Sequence, residues 1–218
     1  MIISGKIPIA LFDILGFRSL IVATDPSKYS DILENLRIIS KGASPIEYFV
    51  DMMFFSDTIV LYGKGKENVL EVALVAVAAS NLLGIAARRK IPIRGALSFG
   101  DMHINTAKNY IAGAPLVKAY DLEKQQEWMG AVVDREHEKL FESSVAKGPA
   151  SNCLVSYPAP MKTGPREKWL CVGWTFRLES RNDLAVVFKE SEQDHDIYRK
   201  YKNTLEFYDV IGREKSTV

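Results

Sequence analysis

Two aspartates stand where an apolar core would be expected. Asp13 ends the strand-like run IALFD at 9–13, and Asp57 interrupts MMFFSDTIVLYG at 52–63. A carboxylate in such a segment is costly unless it is paired or hydrogen-bonded, so each acid needs a partner. Taken alone, Asp13 reads as a cap for the helix that starts near Gly16, accepting backbone N–H bonds. Taken together, a strand end and an adjacent hairpin tip could converge on divalent cations. Such a site offers hard oxygen ligands and no histidine or thiolate, which suits Mg²⁺ or Mn²⁺ and keeps positions for water and phosphate oxygens. Two close carboxylates repel each other unless a cation lies between them. The residues ILGFRS that follow add a Gly permitting an unusual turn, and a helix start whose N–H groups could cradle phosphate.

The elements that must position these acids follow from the hydrophobic pattern. After the first strand, FRSLIVATDPSKYSDILENLRIIS predicts two helical pieces broken at TDPS. Residues 46–62 are aromatic and aliphatic, with Ser56 and Asp57 forming the tight turn of a hairpin. Lys66 to Lys90 is apolar almost all round, the mark of a long helix laid across a sheet. A strand IPIRGALSFGD, a loop around MHINTAKNY, a helix over about 113–128, the short strand GAVVD and a charged helix REHEKLFESSVA come next. Two further strands, NCLVSYPAP and KWLCVGWTF, flank the loop MKTGPRE. The last helix carries Tyr198, Tyr201, Leu205 and Tyr208 as an aromatic stripe suited to packing. This order describes an α+β sandwich, a sheet with helices largely on one face.

Composition narrows the function. The 218 residues form a single expected domain, with a core over about 5–176 and a C-terminal strand and helix extension over about 177–218. A net charge of +1 gives no basic footprint for nucleic acid. Cys153 and Cys171 are too few for a disulfide scaffold or metal knuckle, and His103, His137 and His195 show no ligand spacing. A reduced, cytoplasmic setting is expected. No leader pattern opens the chain, and no segment is read as the ~20 uninterrupted apolar residues of a membrane span.

On these motifs the chain resembles the class III nucleotidyl cyclases. ALFDILGFRSL is similar to the first metal motif of that family and FFSDTIVLYG to the second, an Asp in the following β-hairpin. IPIRGALSFGD and YIAGAPLVKAYDLEKQQEWMGAVVD resemble the next strand, helix and strand, so the likeness covers roughly 5–134. The departures are specific. The positions of the usual purine readers fall on Met53 and Tyr110, and those of the usual Asn and Arg of the helix on Val117 and Asp121. Both metal acids are nonetheless present, which favours the divergent branch of stand-alone pyrimidine cyclases of the Pycsar anti-phage systems over an inactive relative.

The resemblance implies a class III catalytic fold with a ferredoxin-like core sheet. It implies a homodimer with sites at the interface, and cyclisation of a pyrimidine nucleoside triphosphate, UTP above all, to cUMP and pyrophosphate with two Mn²⁺ or Mg²⁺ ions. The product would act on a cyclic-nucleotide-responsive effector in anti-phage defence; a cytidylate cyclase making cCMP and a non-catalytic nucleotide-binding homologue are the alternatives. Asp13, Asp57 and the Ile14 carbonyl would hold the metals. Leu15, Gly16, Phe17, Arg18 and Lys162 would meet the phosphates. Tyr48, Met53 and Tyr110 would line the base pocket. Arg94 would pair with a carboxylate or assist the phosphates, and Glu123 would support the site from the helix or belong to a solvated face.

Overall fold

β1 (Ile2–Ile14) runs through the middle of an eight-stranded sheet, in the order β2-β3-β1-β4-β6-β8-β7 with β5 added to β4. The computed structural model describes residues 1–30, 34, 37, 49–65, 69–146, 150–178, 181–182, 184 and 195–213. The other strands are β2 (Val50–Phe55), β3 (Thr58–Gly63), β4 (Ile93–Asn105), β5 (Tyr110–Gly113), β6 (Gly130–Val133), β7 (Leu154–Pro158) and β8 (Lys168–Val172). Most of the second helical piece expected after TDPS, and Tyr48, lie outside the described residues.

The helices are α1 (Phe17–Ala23), α2 (Val69–Arg88), α3 (Ala114–Gln125), α4 (Glu138–Val145) and α5 (His195–Arg213). Side chains alternate along a strand, so Ala10 and Phe12 face one side of β1 while Leu11 and Asp13 face the other. α2 covers the Phe12 side: a Cβ placed on Gly63 would meet both Glu71 of this helix and Pro8 of β1. α3 crosses part of the Asp13 side, and its first turn is set by Pro115, whose fixed φ suits a helix start. With 20 residues, α2 is long and apolar enough to cross a membrane, which corrects the expectation that no segment approaches that length. Its Val72, Val75, Ala79, Leu82, Leu83 and Ala86 are buried against the sheet and α4, as in a core helix.

Two other boundaries, and the buried face of α5, differ from the sequence reading. Met102 to Asn105, assigned to a loop, continue β4, and the chain turns back through 106–109 into β5. α3 stops at Gln125 instead of Trp128. There the Gln126 side chain leaves the helix path, donating to Gly95 O (2.7 Å) and accepting from Trp128 Nε1 (2.8 Å). On α5 the deepest residues are Thr204, Phe207 and Ile211, with the tyrosine stripe flanking them. Phe207 meets Trp128 and Tyr157 edge to face at 4.8 Å each, and Thr204 Oγ1 accepts from Met129 N at 2.9 Å. This cluster pins α5 to the core. Neither Cys153 nor Cys171 forms a disulfide, and both are buried.

Phe207→Ala should therefore cost about 3–5 kcal/mol in denaturant unfolding, whereas Tyr198→Ala, at the exposed end of the stripe, should cost under ~1 kcal/mol. Equal losses at the two positions would refute this placement of α5.

Candidate active site

The two acids lie at the same end of the sheet because β1 is clamped between β3 and β4. In the register Asp13 lies opposite Thr58 on one side and Arg94 on the other. Asp57 immediately precedes Thr58 in the two-residue turn between β2 and β3. Ser56, the first turn residue, takes a φ of 55°, the left-handed conformation that tight hairpins require at that place. Ile14 N donates to Asp57 O at 3.1 Å, tying the hairpin tip to the end of β1. The cap reading of Asp13 fails for α1: the N-cap is Gly16, at φ 78°, with no side-chain cap bond. Leu15 N donates to Pro92 O at 2.9 Å, so this amide is committed, contrary to the expectation that it faces phosphate. Arg18 is exposed on the first turn of α1.

Beside the acids lies a buried ion pair. Arg94, 5% exposed, donates from Nε to Glu123 Oε1 (2.7 Å) and from Nη1 to Gln126 O (2.5 Å), and its Nη2 also meets Glu123 Oε1. Glu123 is 0% exposed, and its Oε2 has no hydrogen-bond partner; Lys124 Nζ stands 3.8 Å away. Of the two roles weighed for Arg94, the carboxylate pair is the one formed, and Glu123 does not sit on a solvated face. The Asp13 carboxyl is pushed up to about 6, first by burial, then by the charge of Glu123, with Asp57 adding and Lys124 and Arg94 opposing. Negative charge that Arg94 and Lys124 only partly offset, held on hard oxygen atoms, suits a divalent cation.

Next to the acids, on the Leu11 face, opens a cavity of about 500 Å³ between the β2–β3 hairpin, β5 and α3. Met53 and Tyr110 line it together, with Val117 and Tyr120 from α3. Its polar side chains are Thr58, Asn109, Tyr110 and Tyr120, so no carboxylate or ammonium group reaches it among the described residues. The Tyr110 ring stacks on His103, and Asn105 Nδ2 donates to its hydroxyl at 3.4 Å. The rim is apolar and exposed: Phe55 is 75%, Val117 61% and Tyr120 51% accessible.

Other groups lie elsewhere. Lys162, in the loop between β7 and β8, lines a separate cavity with Glu127, Arg166 and Arg199. A second acidic cluster was not seen in the sequence: Asp134, Glu136 and His137 offer ligand atoms within 4.8 Å of one another. This corrects the reading that no histidine has ligand spacing, and the signal was the string DREH itself. Here, however, Lys118 pairs with Glu136, and Asp134 is hydrogen-bonded by Ser98 Oγ (3.0 Å) and Glu136 N (3.3 Å), with His137 Nδ1 at 3.1 Å. Burial raises the Asp134 carboxyl, but these bonds and Lys118 outweigh it and hold it below the usual range. Its charge is already balanced, unlike that around Asp13.

No protein-family model matches the sequence, and no curated protein matches it significantly. Solved structures do match. The adenylyl cyclase CyaB from P. aeruginosa aligns at 15% identity over 84% of this chain and 98% of its own, with a TM-score of 0.56. The catalytic core of a rhodopsin-guanylyl cyclase with converted specificity, solved with ATPalphaS, aligns at 13% identity over 80% and 99%, at a TM-score of 0.60. The guanylate cyclase domain of RhGC from Catenaria anguillulae, solved with GTP, aligns at 14% identity over 78% and 97%, at 0.55. The protein thus has the class III cyclase catalytic fold. Within that fold, Asp13 and Asp57 share one end of the central strands.

The raised Asp13 carboxyl carries a stability signature. With a folded value of about 6 against an ordinary 3.8, protonation is favoured by the fold. The stability it lends is full below pH 4 and is lost as pH rises through 6. In the presence of a chelator, the unfolding free energy of the wild type relative to Asp13→Asn should fall by ~1–2 kcal/mol across this window, a figure discounted for the partial exposure of the group; the comparison cancels the opposite slope of carboxylates such as Asp134. Asp13→Asn should be the more stable of the two at pH 7. A difference between them that is flat between pH 4 and 6 would refute the assignment.

Proposed function

We infer that this chain is a nucleotidyl cyclase that converts a pyrimidine nucleoside triphosphate, preferentially UTP, to the 3′,5′-cyclic monophosphate and pyrophosphate. The observation that carries the reading is the juxtaposition of Asp13 and Asp57, neither in a salt bridge among the described residues, on a class III cyclase fold. Divalent cations, when bound, would neutralise the triphosphate and lower the pKa of the ribose 3′-hydroxyl. Asp13, Asp57 and the Ile14 carbonyl are the oxygen donors for them. The turn at Gly16 lets the amides of Gly16 and Phe17, which open α1, approach the phosphates. Arg18, exposed on the first turn of α1, adds positive charge, whereas Lys162 lines a separate cavity and is given no part. These residues orient the 3′-oxygen toward the α-phosphorus and hold the charge that develops, without a dedicated protein base.

The base sits in the cavity shared by Met53 and Tyr110. A lining with no ionisable carboxylate or ammonium lacks the charged readers that purine cyclases use, which supports a pyrimidine substrate. The Tyr110 hydroxyl would hydrogen-bond the base edge. The apolar rim formed by Phe55, Val117 and Tyr120 supports a homodimer closing over the cavity, since exposed patches of this kind mark association surfaces. By the same resemblance the product would be a second messenger read by an effector in anti-phage defence, made in the cytoplasm by a single 1–218 domain.

Incubation with each of the four ribonucleoside triphosphates and Mn²⁺, followed by separation of products, tests this. Cyclic UMP is expected. A cyclic purine product would overturn the base assignment, cCMP alone would favour the cytidylate alternative, and no cyclic product from any nucleotide would overturn the enzyme. Asp13→Ala and Asp57→Ala should each lower turnover at least ~10²-fold while circular dichroism stays native. Tyr110→Phe should raise KM for UTP roughly fivefold to tenfold, the worth of one hydrogen bond, and leave kcat nearly unchanged.

A further inference from the structure

Lys124 is the cation that the reaction above leaves unused. It sits in the last turn of α3, with 47% of its side chain exposed. Glu123 Oε2 stands 3.8 Å from its ammonium, beyond hydrogen-bond reach, and the same nitrogen lies over the Tyr120 ring, 5.1 Å from the centroid. Among the described residues it makes no hydrogen bond. Its three N–H donors are uncommitted.

Its neighbours fix where this ammonium stands. Val117 and Tyr120 line the cavity, and residues three or four apart share a helix face, so Val117, Tyr120 and Lys124 form one row along α3. The row ends near the acids: Glu123, next in sequence to the lysine, is bonded by Arg94, the register partner of Asp13. Of the two cations that act on the Asp13 carboxyl, Lys124 bears on it more than Arg94. Arg94 is buried and spent on Glu123 and Gln126. A nucleotide whose base enters the cavity and whose phosphates reach Asp13 and Asp57 spans this junction. The carbonyl end of α3 and the Glu123 carboxylate would repel a phosphate there, unless an ammonium stands between.

Resting on the cyclase reading of Asp13 and Asp57, we propose that Lys124 is a phosphate-binding residue of the site, its ammonium donating to the phosphate chain of a nucleoside triphosphate whose base occupies the cavity. Glu123, anchored by Arg94, keeps the lysine beside the acids while no phosphate is there. It is a positioning residue and touches no ligand.

Binding without turnover tests this. Equilibrium dialysis of the full chain in Mn²⁺ uses the 3′-deoxy analogues of the four nucleoside triphosphates, which lack the attacking hydroxyl. For the analogue bound best, Lys124→Gln should weaken binding about tenfold or more, the worth of a charge-assisted hydrogen bond, and leave the affinity for the parent nucleoside unchanged. Lys124→Arg should restore most of the loss. Lys118→Gln, on another face of α3 and paired with Glu136, should bind the analogue as the wild type does. Unchanged affinity in Lys124→Gln, an equal loss in Lys118→Gln or for the nucleoside, or no analogue bound by the wild-type chain would each overturn the proposal. A triphosphate affinity that depends on Lys124, in a chain that forms no cyclic nucleotide, would instead overturn the cyclase reading and leave the phosphate contact standing.

Discussion

Everything at the candidate site depends on the double pairing of β1. From Ile9 to Asp13 the strand is hydrogen-bonded to β3 on one edge and to β4 on the other. A strand held on both edges cannot slide, and a slip of one residue would exchange its faces. Phe12, 0% exposed beneath α2, would then turn toward the cavity, and Asp13 would enter the aliphatic core. The apolar residues on either side of Asp13 are therefore what aims it. Gly95 makes the close approach possible: a Cβ there would lie 2.3 Å from Leu11 O and 2.4 Å from the Phe12 ring.

The same clamp explains why a charged site can exist here at modest cost. Burying Arg94 with Glu123 adds little net stability, because desolvation of the two ions offsets their attraction. What the pair does is fix α3 against β1 and β4 at one height, with Gln126 bonding Gly95 O just beyond it. Acids that repel one another are tolerated because the apolar contacts of the sheet with α2, and of α5 with Trp128 and Tyr157, supply the stability elsewhere.

Much of this was legible in the sequence, and the reasons for success and failure are physical. Asp13 and Asp57 stood out because each breaks an apolar run, a local signal that needs no tertiary knowledge. Arg94 and Glu123 gave no such signal: they are 29 residues apart, and only the packing of α3 on β4 brings them together. The strand Met102–Asn105 was missed because its polar members, His103 and Asn105, find partners on the neighbouring strands, in Ser4 of β1 and Tyr110 of β5. On α5 the tyrosine stripe drew the eye, yet Thr204 is buried beside Phe207 and Ile211, its hydroxyl serving both Met129 N and Lys200 O. Polar residues that satisfy a buried backbone group are invisible to hydrophobic periodicity.

The two thiols of the opposite sheet edge carry a different consequence. Cys171 of β8 lies between Val132 of β6 and Val155 of β7, and burial pushes its thiol far above the usual range. Thiolate is the reactive form, so the Cys171 thiol offers oxidants and alkylating reagents little to attack while the chain is folded, and Cys153 is shielded by burial as well. Alkylation of Cys171 would therefore report opening of the β7–β8 hairpin, at the end of the sheet farthest in strand order from Asp57.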